Sequence, residues 1–390
     1  MSWHRDHAGF PQRHRHDVDG RCHYAVSAED TADAHPQPAT VDTHPDLRRV
    51  NAHPDFWYPI AWSHQVRRGK TLGVRFAGEP IVVFRGASGR IFALEDRCAH
   101  RQVPLHLGTV AGDALKCGYH GWTYDCAGRC IDIPYLGRER LPNGVRSYPA
   151  HEIDGLIFVF PGDARLAEER KPGAAGSRGD RRYLTRRLNR EVACHYTFMH
   201  ENLFDMNHQF LHRRQMGMIR ARCLGRRLGE DWCEVDYTFS RTAGRGSIGE
   251  SAILNVIEKK REDGRRDLMT IRTNYPYQRL KFWVDGGDPV LDVWLGYTPL
   301  DKDQRTNRTF GHLSVKKPRF APLLYLAWPF ITWFTENIFR EDKHIVEQEQ
   351  AAHDAQGADW NNEVFPAIRD LRALLARCGA APGSNAVPAE

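Results

Sequence analysis

Four residues in a short window have the side chains and the spacing needed to bind an iron–sulfur cluster. The pairs Cys98-x-His100 and Cys117-x-x-His120 each supply one thiolate and one imidazole. A two-iron, two-sulfide cluster with one iron bound by two cysteines and the other by two histidines needs this donor set. Because neutral imidazoles replace two anionic thiolates, the reduction potential of such a cluster lies between roughly −150 and +300 mV. The pattern therefore predicts one-electron transfer.

A zinc site is the alternative for the same donors, because Cys₂His₂ is a common structural zinc set. Zinc motifs usually pair like ligands, as C-x₂₋₄-C followed by H-x₃₋₅-H. Here each segment contributes one cysteine and one histidine, and the second segment continues as YHGWTY. The mixed pairing favours the iron–sulfur interpretation over zinc.

With these motifs the chain resembles the Rieske [2Fe–2S] family over about residues 56–161. The resemblance implies that Cys98 and Cys117 bind the inner iron of the cluster. It also implies that His100 and His120 bind the outer iron, which lies nearer solvent.

A second group of candidate ligands lies in the run ENLFDMNHQFLH, residues 201–212. On a helix, residues three or four apart share a face, so Asn202, Asp205, His208 and His212 are predicted to project from one stripe. Two imidazoles at i and i+4 can bind a single metal ion, with a carboxylate one turn back to orient one of them. A polar helix face that carries two histidines by chance is the alternative.

A third ligand should be a carboxylate, because two histidines and one carboxylate leave positions open for O₂ at ferrous iron. The best candidate is Asp342, which on a predicted helix shares its face with apolar Ile338, Phe339, Ile345 and Val346. A carboxylate in an apolar stripe should be neutralised, paired or metal-bound, so a buried salt bridge is the competing explanation. The neighbouring acids, Glu341 and Glu347, fall on other faces and are predicted to be solvated.

From about residue 54 to 377 the chain resembles the oxygenase component of the Rieske non-haem iron oxygenases, the family of ring-hydroxylating dioxygenases and Rieske monooxygenases. The resemblance implies that His208, His212 and Asp342 bind a mononuclear ferrous iron. It further implies that Asp205 connects an iron-ligand histidine to a Rieske histidine of a neighbouring subunit.

One spacing departs from the family pattern. The family pattern begins with an asparagine, and Asn202 matches it. Members of the family usually place the two iron histidines five positions apart, whereas His208 and His212 are four positions apart. Four positions are as compatible with a shared helix face, so the assignment is kept. His195 and His200 lie close by and are alternative ligands.

The resemblance also implies a reaction and partners. The chain would use O₂ and electrons relayed from NAD(P)H by a separate reductase, directly or through a ferredoxin. With them it would hydroxylate or oxidatively demethylate a small aromatic substrate, as a homotrimer. The alternative is a Rieske-type electron-transfer protein without a working catalytic iron, but a pure carrier has no use for Asp342.

Composition describes a globular chain of 390 residues, 41% hydrophobic and 27% charged, with net charge +6, which does not by itself imply nucleic-acid binding. The one hydrophobic stretch, 320–334, contains two prolines and is shorter than the ~20 residues a membrane span needs. Nine scattered cysteines do not form a secreted disulfide framework, and no signal peptide is recognised, so a cytoplasmic location is predicted. A cluster of arginines is predicted to be a solvated face, or alternatively a docking site for an acidic electron donor: Arg181, Arg182, Arg186, Arg187 and Arg190.

The order of patterns predicts an α+β protein, since runs of strands are followed by helices. Helices are predicted near 195–213, 322–352 and 362–377. The resemblance implies an N-terminal all-β Rieske domain followed by a helix-grip catalytic domain. The predicted divisions are a disordered histidine-rich extension (1–53), the Rieske domain (54–161), a charged, glycine-rich linker (162–181), the catalytic domain (182–378) and a flexible tail (379–390).

Overall fold

Short strands make up the first half of the chain, and helices packed with one antiparallel sheet make up the second. The computed structural model describes residues 45–136, 144–243, 268–284 and 287–381. The predicted α+β class is confirmed, with the all-β half first. Two predictions, disorder before residue 45 and a flexible tail after residue 381, lie outside the described residues.

Three small antiparallel sheets form the first half. The first has the order β1-β11-β10, the second β2-β3-β4-β9 and the third β5-β6-β7-β8. Their strands are β1 (Tyr58–Trp62), β2 (Thr71–Phe76), β3 (Glu79–Arg85), β4 (Ile91–Glu95), β5 (Thr109–Ala111), β6 (Ala114–Lys116), β7 (Thr123–Tyr124), β8 (Cys130–Asp132), β9 (Ser147–Tyr148), β10 (Ala150–Ile153) and β11 (Leu156–Val159).

One seven-stranded antiparallel sheet, in the order β12-β18-β17-β16-β15-β14-β13, forms the frame of the second half. Eight of the nine residues of β17 are buried, as expected for a strand inside a sheet covered on both faces. The strands are β12 (Tyr183–Val192), β13 (Met218–Leu228), β14 (Trp232–Ala243), β15 (Leu268–Asn274), β16 (Tyr277–Trp283), β17 (Leu291–Pro299) and β18 (Asn307–Lys316).

In the part of the chain that the structure describes, four helices accompany this sheet: α1 (Tyr196–Phe204), α2 (Arg213–Met216), α3 (Ala321–Gln356) and α4 (Pro366–Cys378). Both α3 and α4 have a proline in the first turn, where a missing N–H costs nothing. Helix α3 ends at Gly357, which adopts the left-handed conformation that glycine tolerates best. Among the described residues, no helix is both long enough and apolar enough to cross a membrane.

The two halves share a hydrophobic core, since residues of β1 and β3 cluster with residues of β17 and β18. The Thr298 hydroxyl donates a hydrogen bond of 2.6 Å to the Pro59 carbonyl, and the Ala77 N–H donates one of 2.8 Å to the Pro299 carbonyl. The connecting segment 162–181 is itself packed, because Ala167 is buried and its carbonyl accepts a hydrogen bond from the Trp57 indole.

The structure differs from the local predictions in a few places. The predicted disorder does not extend to residues 45–53, where Leu47 and Ala52 are fully buried and Asn51 pairs with Ala380. Strands β12 and β13 carry three and four arginines, which interrupt the alternation of apolar residues that identifies a strand in a sequence. The cluster of arginines is also not simply solvated, since Arg186 and Arg190 both form ion pairs with Glu336 of α3 and so fasten that helix to the sheet.

The predicted helix over 195–213 is interrupted. Helix α1 ends at Phe204, Asp205 adopts an extended conformation, and a 3₁₀ turn follows over Met206–Phe210. The Asp205 carboxylate accepts a hydrogen bond from the Asn207 N–H and so caps this turn, which a short acidic side chain does well. The four polar residues of the predicted stripe therefore do not lie on one helix face.

Candidate metal centres

Two tight loops carry the first set of predicted ligands. The first follows β4, where the Cys98 N–H donates to the Val103 carbonyl at 2.9 Å. The second lies between β6 and β7, where the Cys117 N–H donates to the Trp122 carbonyl at 2.8 Å. Gly121 has φ +76° in this second loop, a conformation that favours glycine.

The loops bring the four side chains together with the cysteines inside and the histidines outside. Cys98 and Cys117 are 2% and 3% exposed and belong to one apolar cluster. The His100 ring is exposed, and its centroid lies 4.6 Å from that of His120. Two buried sulfurs beneath two outer imidazoles are the arrangement that a two-iron cluster with unlike ends requires.

Aromatic residues of β7 and its approach support this site. The Tyr124 hydroxyl lies 3.2 Å from the Cys98 sulfur and accepts a hydrogen bond from the Ala99 N–H. The Trp122 ring stacks on His100 with centroids 4.9 Å apart and planes 3° from parallel. Burial raises the pKa of the Cys117 thiol and so disfavours its thiolate form. A metal cation bound to the sulfur would stabilise the thiolate in this pocket.

The second set converges from two elements that are distant in sequence. The 3₁₀ turn after α1 carries His208 and precedes His212, and α3 carries Asp342. The Nε2 atoms of His208 and His212 lie 3.7 and 3.1 Å from the Asp342 Oδ1. Two donors bound at about 2.1 Å to a metal, at a right angle to each other, lie about 3 Å apart. The three residues therefore have the spacing of metal ligands.

Hydrogen bonds fix the tautomers of both histidines. The His208 Nδ1 is bonded to the Asp205 backbone carbonyl, which can only accept, so this nitrogen carries the proton. The His212 Nδ1 donates a hydrogen bond of 2.8 Å to the Glu341 Oε2. In both rings the lone pair is thereby left on Nε2, the atom that faces Asp342.

The residues present fit a divalent metal ion. The His212 Nε2 and the Asp342 Oδ1 are buried and make no hydrogen bond among the described residues. Two imidazole lone pairs and a carboxylate oxygen that point at one another repel unless a cation lies between them. Two histidines and one carboxylate are also the ligands of non-haem ferrous sites.

The same three side chains line a cavity of about 250 Å³ between α3 and the sheet. Most of its wall is apolar, from β14 to β18 and α3, including Phe239, Leu280, Val293, Leu313 and Phe339. No lysine or arginine is among the described residues of the wall. A reactive centre here would meet a molecule that is apolar over most of its surface.

The other predicted site residues are placed differently. Asn202 lines the same cavity. The Asp205 carboxylate accepts a hydrogen bond from the Asn207 N–H. The hydrogen bond between Asp205 and the His208 ring goes through the Asp205 backbone carbonyl, not through its carboxylate. The alternative ligands His195 and His200 are buried outside the ligand group. Of the four histidines considered, the structure brings only His208 and His212 to Asp342.

Sequence reasoning missed Glu341, which it predicted to be a solvated acid. The pattern of apolar residues cannot reveal this contact, because Glu341 meets a histidine that is 129 positions away. By holding the His212 ring, Glu341 occupies the position of a carboxylate that orients a metal-ligating imidazole.

Replacing Glu341 by alanine is expected to lower the affinity for ferrous iron about 10- to 100-fold, because the His212 ring and its tautomer are then no longer fixed. Anaerobic iron titration, followed by the electron paramagnetic resonance signal of the nitric oxide adduct, measures this affinity. Glu347→Ala is the matched control, since Glu347 lies on the same helix and accepts a hydrogen bond from the Ala193 N–H instead. Equal affinities in the two variants would contradict the orienting role.

Comparison with known proteins gives two family matches. Residues 56–149 match the Rieske [2Fe–2S] domain, and residues 192–368 match the vanillate O-demethylase oxygenase C-terminal domain. These ranges contain all four cluster candidates and all three candidate ligands of the second centre.

Individual relatives agree with these matches. The chain is 33% identical to a 4beta-methylsterol monooxygenase of Methylococcus capsulatus over 338 residues, which cover 82% of this chain and 86% of that protein. It is 38% identical to a vanillate O-demethylase oxygenase subunit of a Pseudomonas species over 147 residues, 36% of this chain and 42% of the relative. The crystal structure of dicamba monooxygenase bound to dicamba has the same fold, with a TM-score of 0.66 at 23% identity over 85% of this chain and 98% of that one.

Proposed function

The chain belongs to the oxygenase components of the Rieske non-haem iron oxygenases, and from this premise we propose that it monooxygenates an uncharged, apolar organic substrate. The observation that carries the proposal is the meeting of His208, His212 and Asp342 at one end of an apolar cavity. The alternative function, electron transfer alone, gives no role to this cavity or to its buried carboxylate.

The proposed cofactors are one Rieske cluster on Cys98, His100, Cys117 and His120, and one mononuclear ferrous iron. Together they supply electrons and activate O₂, chemistry that side chains alone do not provide. The overall reaction inserts one oxygen atom into a C–H bond and reduces the other to water with two electrons and two protons. We propose that the electrons come from NAD(P)H through a separate reductase.

The residues of this chain contribute positioning and exclusion of water. The apolar side chains from β14 to β18 exclude water from the reacting bond and bind a hydrocarbon skeleton by the hydrophobic effect. The Asp205 carbonyl and the Glu341 carboxylate keep both histidine rings oriented. A preorganised ligand set avoids the free-energy cost of ordering these side chains during turnover.

The wall of the cavity also favours one kind of substrate. A carboxylate or sulfonate needs a cationic partner when it is buried, and the described wall offers none. Vanillate, the substrate in the name of one relative, is an anion, whereas a 4β-methylsterol is neutral and largely apolar. Aliphatic side chains accept alicyclic and aromatic skeletons equally, so the predicted aromatic character stays a prediction.

One polar group in the wall indicates a further feature of the substrate. Gln209 is 7% exposed, and its Oε1 makes no hydrogen bond among the described residues. A buried amide oxygen without a partner is costly, and a substrate hydroxyl would satisfy it. We therefore propose an apolar alcohol as the substrate.

Two other features remain proposals. The homotrimer and the connection from Asp205 to a neighbouring subunit concern contacts between chains. The string at 244–249, GRGSIG, has the G-x-G-x-x-G spacing of a dinucleotide fingerprint. It lies outside the described residues and follows β14 of an antiparallel sheet rather than opening a βαβ unit, so a separate reductase is still proposed.

A matched pair of substrates tests the proposed function. The reconstituted protein, supplied with a surrogate reductase, is given an apolar alcohol and the carboxylate with the same skeleton. We expect O₂ uptake coupled to hydroxylated product, with kcat/KM at least about tenfold higher for the alcohol because the carboxylate would be buried without a partner. Gln209→Leu should raise KM for the alcohol about 2- to 10-fold. KM for the analogue that lacks the hydroxyl group should stay unchanged. Preference for the carboxylate would contradict the proposal.

A further inference from the structure

The N-terminal half of α3 is apolar on two opposite faces. No aspartate, glutamate, lysine or arginine occurs from Phe320 to Thr335. One face packs into the core through Leu324, Ile331 and Phe334. The opposite face is exposed to solvent, although an ordinary surface helix is polar there.

The exposed face forms an apolar patch, which we call the α3 patch and define as the exposed Phe320, Leu323, Tyr325, Leu326 and Trp333 together with the half-buried Phe330. Leu326 is 81% exposed and Trp333 is 59% exposed. The Phe330 and Trp333 rings pack together with centroids 5.6 Å apart. Single exposed apolar residues are ordinary, but a contiguous patch marks a surface that meets a partner.

Basic residues without an acidic partner lie beside the N-terminal end of the α3 patch. Arg181, Lys317 and Arg319 lie next to the N-terminal end of α3, and none of them forms an ion pair among the described residues. The neighbouring Arg182 forms an ion pair with Asp180, and Lys316 forms one with Asp288. The patch is thus bordered by uncompensated positive charge.

From this juxtaposition we propose that the α3 patch docks on the surface of an anionic lipid membrane. Tryptophan and tyrosine side chains insert at the level of lipid headgroups, where one part of the ring is apolar and the other is wet. Arginine and lysine at the margin are attracted to anionic headgroups. Helix α3 does not span the membrane; it lies on the surface and keeps its core face in the protein.

A two-fold contact with a second copy fits this surface less well. The same patch would then occur on both partners, so the basic margins of two copies would be brought together and repel. A head-to-tail contact, as in the proposed homotrimer, would place the patch against a different surface of the neighbour, and the particle mass without lipid separates that case. An anionic lipid surface complements that margin instead.

Docking through the α3 patch would also suit the proposed substrate, a point that rests on the proposed function. The next residues along α3, Phe334, Thr335, Ile338 and Phe339, line the cavity. An apolar alcohol partitions into membranes, so a protein docked through α3 would receive its substrate from the lipid phase.

Sedimentation with vesicles tests the proposal on the full chain carrying its cluster. Vesicles of phosphatidylcholine alone are compared with equimolar phosphatidylcholine and phosphatidylglycerol. We expect binding to the anionic vesicles, weakened about tenfold or more by the double variant Leu326→Ser, Trp333→Ser. The double variant Lys317→Gln, Arg319→Gln should weaken binding to anionic vesicles and abolish its salt dependence.

Trp360→Ala is the matched control. Trp360 is also exposed but follows the far end of α3, about 35 Å along the helix axis from Trp333. Its replacement should leave vesicle binding unchanged, and an unchanged visible spectrum of the cluster shows that each variant is folded.

Two results would overturn the proposal. One is vesicle binding that is absent or insensitive to the α3 variants. The other is a smaller particle mass in the Leu326→Ser, Trp333→Ser variant without lipid, together with no vesicle binding, which would assign the patch to a second copy. Neither readout uses substrate or O₂, so the docking surface and the proposed function fail independently.

Discussion

Replacing Asp342 by alanine is expected to remove the mononuclear iron and to abolish substrate oxygenation, while the visible spectrum of the [2Fe–2S] cluster stays unchanged. Among the described residues, Asp342 is the carboxylate that faces the Nε2 atoms of both histidines. Because losing a residue that only orients a ligand costs about 10- to 100-fold in metal affinity, losing a ligand itself should cost more than that. Iron analysis and O₂ uptake measure the two effects.

The competing explanation for Asp342 is a buried ion pair with protonated His212, and the same variant separates the two. An ion pair serves stability, so its removal would destabilise the fold without changing the number of irons bound per chain. Asp354→Ala is the control, because Asp354 lies on the same helix but pairs with Arg305 far from the ligands. Retention of the third iron in Asp342→Ala would show that another residue completes the site.

Replacing Cys117 by alanine should abolish the cluster spectrum and, with it, all turnover that depends on the reductase. Cys117 and Cys98 are the two sulfurs buried beneath the paired imidazoles, and one thiolate cannot hold the inner iron in place of two. Visible absorption and acid-labile sulfide, measured after anaerobic reconstitution, report the loss.

Cys130 provides the control for that experiment. It is buried in the same apolar cluster, yet its thiol points to the Asp132 carbonyl rather than to the histidine pair. Cys130→Ala should therefore keep the cluster. Loss of the cluster in Cys130→Ala and its survival in Cys117→Ala would reverse the assignment of sulfur ligands.

The candidate ligands of both centres could be picked from the sequence because the chemistry of metal binding restricts residue types and local spacing. The two cluster loops are each short, so their sequence carries nearly all of their geometry. Asp342 was found by the conflict between a carboxylate and its apolar neighbours. Burial confirms that conflict in part, since Val346 is fully buried, although Ile345 of the same predicted face is exposed.

Other features depend on contacts that a local pattern does not contain. Asp205 ends α1 because its side chain caps the next turn, so the ligands converge through a break rather than along one helix face. Glu341 was missed because only the folded chain brings it to His212. Strand β12 carries arginines because two of them, Arg186 and Arg190, pair with Glu336 of α3 rather than with water alone.

Counting iron and sulfide per chain is the most direct test of the central claim, that one chain holds both an electron-carrying cluster and a separate ferrous centre. The protein is reconstituted anaerobically with sulfide and excess ferrous salt, desalted and analysed for metals. Two irons in the cluster and one at the second centre predict three irons and two sulfides. Two irons with two sulfides, or zinc in place of iron in the first site, would contradict the account.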